Sequence, residues 1–100
     1  MPELLILEFN GVGEAEYAAV SKQLGIDMGS GQGDWPPGLL AHAAGQSDDD
    51  TFVVSEVWSS RADQDAFMAS RLGQALAAGG ITGAPAVRWV TLLAYHQPGT

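Results

Sequence analysis

The chain has 100 residues, a net charge of −8 and no cysteine. That length predicts one domain spanning residues 1–100 with a modest core, and the lack of cysteine excludes disulfides and thiolate metal sites. Only Lys22, Arg61, Arg71 and Arg88 are basic, too scattered to neutralise a phosphate backbone or bind an anionic bilayer, so neither nucleic acid nor membrane is an expected partner.

No run approaches the ~20 apolar residues a membrane-spanning helix needs. The N-terminus reads Met-Pro-Glu and lacks the basic region of a signal peptide, which predicts a cytoplasmic location. Leu4 to Asn10 reads as a strand, because Leu4-Leu5-Ile6-Leu7 is an unbroken apolar run. Gly11 and Gly13 interrupt it. Glu14 to Leu24 reads as a helix with Tyr17, Val20 and Leu24 on one face, and Gly25 stands where a helix-ending glycine belongs.

Residues 26–38 are irregular and rich in glycine. Gly29, Gly31 and Gly33 do not make a phosphate cradle, which requires a strand before and a helix after; here a helix precedes and Pro36-Pro37 follows. Trp35 in this loop either pins it to the body or serves as a lid over a pocket, since binding groups favour loops. Gly38 to Gly45 reads as a second strand carrying His42. Asp48, Asp49 and Asp50 mark a solvated turn rather than a cation site.

Phe52 to Trp58 is β-branched and aromatic and contains neither Gly nor Pro, so it predicts a third strand. It runs directly into a helix. Ser59 or Ser60 can cap that helix, and Asp63 follows Ser60 at capping-box spacing. Helical character continues to Ala78, with Gly73 expected to mark a bend, and Gly79-Gly80 stops it. Ala86 to His96 reads as the last strand, and the tail from Gln97 is expected to be loose.

The order β-α-β-β-α-β predicts an α+β, ferredoxin-like fold: a four-stranded antiparallel sheet with both helices on one face. Strand residues two apart share a face. Placing the wholly apolar sets under the helices puts Leu5, Leu7, Phe9, Ala41, Ala43, Val53, Val57 and Val90 inside. The open face then carries Glu8, Asn10, His42, Glu56, Trp58, Trp89, Thr91 and Tyr95 among large apolar residues. A bare surface of that kind exceeds what a soluble monomer tolerates. The expected cover is a second copy of the sheet, giving a homodimeric α+β barrel.

An apolar surface with a few convergent polar groups is the pattern of a small-molecule site. His42 is either a satisfied structural histidine or a general acid–base near neutral pH. Glu56 on an apolar face is costly unless paired; it is either protonated or bonded to His42 or Tyr95. Asn10 either ends its strand or contacts a ligand. Trp58 and Trp89 either build the core or stack on a flat ligand.

The segment Val54-Ser-Glu-Val-Trp-Ser-Ser60, with Phe67 and Leu72, preceded by Gly38-Leu-Leu-Ala-His42, resembles the antibiotic biosynthesis monooxygenase-like proteins of the dimeric α+β barrel superfamily. The resemblance implies a homodimer with a cleft between sheet and helices or within the barrel. It also implies oxidation of a phenolic or quinol-like aromatic by molecular oxygen without metal, flavin or other cofactor. His42 would then take the substrate proton, with Asn10, Trp58 and Tyr95 positioning ring and oxygens; Trp35, Glu56 and Trp89 complete the expected ligand-binding set. Haem-degrading members use Asn, Trp and His; Asn10 matches the first, but no histidine falls in the second helix, where a haem ligand belongs. The alternative is a non-catalytic dimeric protein that binds a small hydrophobic or aromatic molecule.

Overall fold

The computed structural model describes residues 2–81 and 83–96. The tail expected to be loose lies outside the described residues. The element order is β1 (Glu3–Phe9), α1 (Glu14–Leu24), β2 (Leu39–Gln46), β3 (Phe52–Trp58), α2 (Arg61–Phe67), a π-helical turn (Met68–Leu72), α3 (Gly73–Ala78) and β4 (Ala86–Thr91). The four strands lie in the order β2-β3-β1-β4, with every neighbouring pair antiparallel. This is the expected ferredoxin-like sheet.

Local chemistry explains the boundaries. Gly25 sits in the left-handed region (φ 77°), where its N–H caps the carbonyls of Lys22 and Ser21 and stops α1. The Ser60 side chain accepts the backbone N–H of Asp63 at 3.2 Å and starts α2. Gly73, where a bend was expected, is itself right-handed helical (φ −57°), and the helical irregularity lies just before it, in the π-helical turn. A π turn adds a residue and rotates the helix face, which turns Met68 and Leu72 toward the sheet while Arg71 reaches the loop after α1.

The helices cover one face of the sheet. Leu5, Leu7, Phe9, Phe52, Val54, Trp58 and Phe67 form the buried core, with Tyr17, Leu24, Leu72 and Trp89 packed against it. The register sets Glu56 opposite Leu5 on one side and opposite His42 on the other. Directly opposed residues share a face, so His42 and Glu56 lie under the helices.

This corrects the face assignment. The β1 assignment holds, but β2, β3 and β4 present their other sides to the helices. The physical reason is volume. Phe52, Val54 and Trp58 fill the space beneath the helices, whereas the smaller Val53, Ser55 and Val57 are only half-buried on the open side. Glu56 follows its strand inward because it finds partners there.

A bulge in β2 contributes. Leu39 opposes Trp58 but Ala41 opposes Val57, which leaves Leu40 as an extra residue. Leu39 and His42 consequently share the covered face, and Leu40 turns outward at 38 % exposure. The last strand also ends earlier than expected, at Thr91 rather than His96. Its partner β1 runs out there: Thr91 opposes Glu3, and the following contact is Leu92 N–H to the Pro2 carbonyl at 3.2 Å. Proline has no N–H with which to continue the ladder.

Candidate functional site

A cavity of about 750 Å³, counting its open mouth, lies between the covered face and the helices. Part of that volume is open to solvent. Its wall is apolar: Leu7, Phe9, Val12, Val20, Leu24, Ile26, Leu39, Phe52, Val54, Phe67, Met68, Leu72, Leu76 and Ile81 line it. The polar side chains on that wall include His42, Glu56, Tyr17 and Ser21.

Three of these four side chains form a continuous chain with Trp58. The Glu56 side chain is buried and accepts the Trp58 indole N–H on Oε1 at 3.1 Å. Its Oε2 lies 2.8 Å from His42 Nδ1. His42 Nε2 lies 2.7 Å from the Tyr17 hydroxyl. Each link follows from the fold. Trp58 and Glu56 are two apart on one strand, His42 and Glu56 are cross-strand partners, and Tyr17 projects from the inner stripe of α1.

Hydrogen-bond logic assigns the direction. A carboxylate only accepts, so Nδ1 of a neutral imidazole carries the proton toward Glu56. Nε2 is then a lone pair that accepts the Tyr17 O–H. Burial pushes the Tyr17 phenol above its ordinary value; the Ser21 hydroxyl pulls the other way, and the Glu56 charge adds to the rise. Tyr17 therefore stays a neutral donor through the physiological range.

Trp35 also reaches the cavity, with its ring 5.0 Å from the His42 ring centre. The loop carrying it is built rather than irregular. Ile26 bridges to Gly33, and Asp34 N–H bonds the Gly25 carbonyl at 3.1 Å. Gly33 (φ 151°) permits this approach, because a Cβ there would strike Gly25 and Ile26 backbone. The Trp35 indole N–H bonds the Gly31 carbonyl at 2.8 Å. Arg71 ties the loop to the π-helical turn, donating to the carbonyls of Leu24 and Asp34 at 2.8 Å each.

The other sequence candidates lie elsewhere. Trp58 is completely buried and does not line the cavity; it touches the wall through its hydrogen bond to Glu56 and its ring contact with Phe67, 5.9 Å between centres. Trp89 packs on the core and receives the Arg61 guanidinium, 5.1 Å from its ring centre. Asn10 is exposed just past the end of β1. Tyr95 lies beyond β4 and is 38 % exposed, so it is not the partner of Glu56. Residues 48–50 form an exposed turn whose Asp49 carboxylate accepts the Thr51 N–H at 3.1 Å. Among the described residues, no group of three or more His, Asp or Glu side chains is placed to hold a metal ion.

Tyr17 and Ser21 were missed as site residues. The available signal was a polar-tipped aromatic on the inner stripe of a helix, where a buried hydroxyl requires a partner.

No family model matches the chain, and no curated protein matches it. Among solved structures it is similar to a Chloroflexus aurantiacus protein provisionally assigned as an antibiotic biosynthesis monooxygenase, at 20 % identity and TM-score 0.67, covering 99 % of this chain and 100 % of that one. It is equally similar to a Nitrosomonas europaea protein of unknown function (20 % identity, TM-score 0.68, 99 % and 96 % covered). A third is Rv0793 from Mycobacterium tuberculosis (19 % identity, TM-score 0.67, 97 % and 100 % covered). Likeness across nearly whole chains establishes that this chain shares the fold of these solved structures.

Proposed function

We propose that this protein is a cofactor-independent monooxygenase that oxidises a small phenolic or quinol-like aromatic with molecular oxygen. The observation that carries the reading is the hydrogen-bonded chain Trp58–Glu56–His42–Tyr17, which sets His42 on the wall of a largely apolar cavity. Such a cavity suits an aromatic ring, and the imidazole can accept a proton from its hydroxyl. Glu56 fixes the ring orientation and opposes the charge that appears when Nε2 is protonated.

The chemistry then belongs to the substrate. The phenolate passes electrons to oxygen, a ring carbon forms a C–O bond, and the resulting hydroperoxide loses water. A phenol with a free ring hydrogen plus O₂ gives a quinone plus water, and the ring supplies all the electrons. The protein supplies a base, a dry wall and oxygen access. His42 is the proposed catalytic residue, and Trp35 and Glu56 flank the ligand.

The reading extends to a homodimer. Leu4, Ile6, Val53 and Val57 are half-buried on the open face, and Val90 is 39 % exposed. Glu8 and Arg88 stand diagonally on the same face, so a twofold copy can set opposite charges together while covering the apolar patch.

The test is oxygen uptake with a panel of naphthols and hydroquinones, comparing wild type with His42→Ala. The expected outcome is uptake of one oxygen per quinone formed, falling about 10²–10⁴-fold in the variant. A second reading is favoured by one fact: both ring nitrogens of His42 already have partners. A purely structural histidine in a binding protein would look the same. It predicts that aromatics bind wild type and variant alike with no oxygen consumed.

A further inference from the structure

Tyr17 and His42 line the cavity side by side. Its hydroxyl is 2.7 Å from Nε2, the nitrogen that Glu56 leaves free to accept a proton. A neutral imidazole has one lone pair there, and Tyr17 already occupies it. A phenol entering the cavity therefore finds its free acceptor on the Tyr17 oxygen rather than on Nε2. That oxygen donates its own hydrogen to His42 and retains acceptor capacity toward the cavity that Tyr17 lines.

We propose that Tyr17 is a catalytic proton relay, the group that receives the hydroxyl hydrogen of a phenolic substrate and passes its own to His42. This rests on the phenol-oxidation reading above. In the step, the substrate O–H bond breaks and its proton goes to Tyr17 Oη, while the Tyr17 O–H bond breaks and its proton goes to His42 Nε2. Tyr17 is neutral before and after. The products are a phenolate and an imidazolium backed by Glu56, so charge and atoms balance without any further reagent.

The surroundings fit a relay. The Tyr17 ring is held between Phe52, at 5.2 Å between ring centres, and His42, at 6.1 Å and nearly parallel (14°). A ring so held keeps its hydroxyl on Nε2 without needing to move. Burial keeps the phenol protonated, so the relay starts in its loaded form.

The experiment compares wild type with Tyr17→Phe, which keeps the ring and removes only the oxygen. Thermal unfolding at neutral pH checks that the variant is folded. Binding of 4-fluorophenol and of fluorobenzene is followed by ¹⁹F NMR, and oxygen uptake is measured with the best quinol. A relay predicts that wild type prefers the phenol by about tenfold, a preference lost in Tyr17→Phe together with about 10²-fold or more of kcat. If phenols instead displace Tyr17 and bond His42 directly, the variant binds 4-fluorophenol more tightly and its kcat is retained or rises; that overturns the proposal. Equal binding of the two probes by wild type also overturns it. Loss of the phenol preference in the variant, with no oxygen uptake by either protein, supports the Tyr17 contact and refutes oxidation instead.

Discussion

The two faces of this sheet have similar composition and different fates. The covered face combines Leu5, Leu7, Phe52, Val54 and Trp58 with His42 and Glu56; the open face combines Leu4, Ile6, Val53, Val57 and Val90 with Glu8, Ser55 and Arg88. Polar residues do not mark which face is open. On the covered side, the Glu56 carboxylate takes donors from Trp58 and His42 on its two oxygens. A carboxylate satisfied in this way is tolerable in the interior; one left bare is not. The lesson is that side-chain volume and mutual satisfaction, not apolar purity, decide which face meets the helices.

That difference can be broken most strongly at Trp58. Trp58→Ala removes a side chain with no exposed surface and leaves Glu56 Oε1 without its donor. The expected loss is about 3–5 kcal/mol in urea unfolding. A smaller loss would mean that the helices collapse readily onto the sheet. Glu56→Gln sharpens the same contrast. It keeps the shape and replaces an acceptor-only group with one that also donates. Stability should fall by about 1–3 kcal/mol, and the Nδ1–H tautomer of His42, read by ¹⁵N NMR, should lose its dominance.

The loop that carries Trp35 joins the covered face at Gly38. Gly38 has φ 87°, and a Cβ there would run into the Asp63 carboxylate. Gly38→Ala should cost at least about 1 kcal/mol in thermal or urea unfolding. The open face offers the opposite case. Val90→Asp should change the stability of a single chain by no more than ~0.5 kcal/mol. Native mass spectrometry should nonetheless move from two chains to one, if that face is where copies meet.

The mildest effect is alkaline. Burial raises the Tyr17 phenol above its ordinary value near 10. The stability tied to its neutral form is therefore fully present below about pH 10, and it is lost as pH rises through the higher folded value. Tyr17→Phe should lack that part of the decline.

Much of the fold was legible. The capping serine Ser60, the helix-ending Gly25 and the uninterrupted β-strand from Phe52 to Trp58 are local signals, and each stands where its chemistry requires. The facing of the strands was not legible. A one-residue bulge at Leu40, and the covering of Phe52 rather than Val53, are decided by packing against distant helices. His42, Glu56 and Trp35, which line the cavity, were legible as candidates because they are polar or aromatic in unusual places. Their mutual contact needed only the β2–β3 register and the loop fold. Tyr17 was legible as core alone, since its hydroxyl acquires meaning only when α1 lies over His42. Tyr95 and Asn10 lie outside the cavity wall, beyond the ends of β4 and β1.

The most direct test is a crystal structure of the protein with 1-naphthol bound. The account predicts the naphthol rings between sheet and helices, against Phe52 and Phe67, with the hydroxyl within hydrogen-bond distance of Tyr17 Oη. A naphthol on the open face, or one in the cavity with its hydroxyl turned away from Tyr17 and His42, would contradict it.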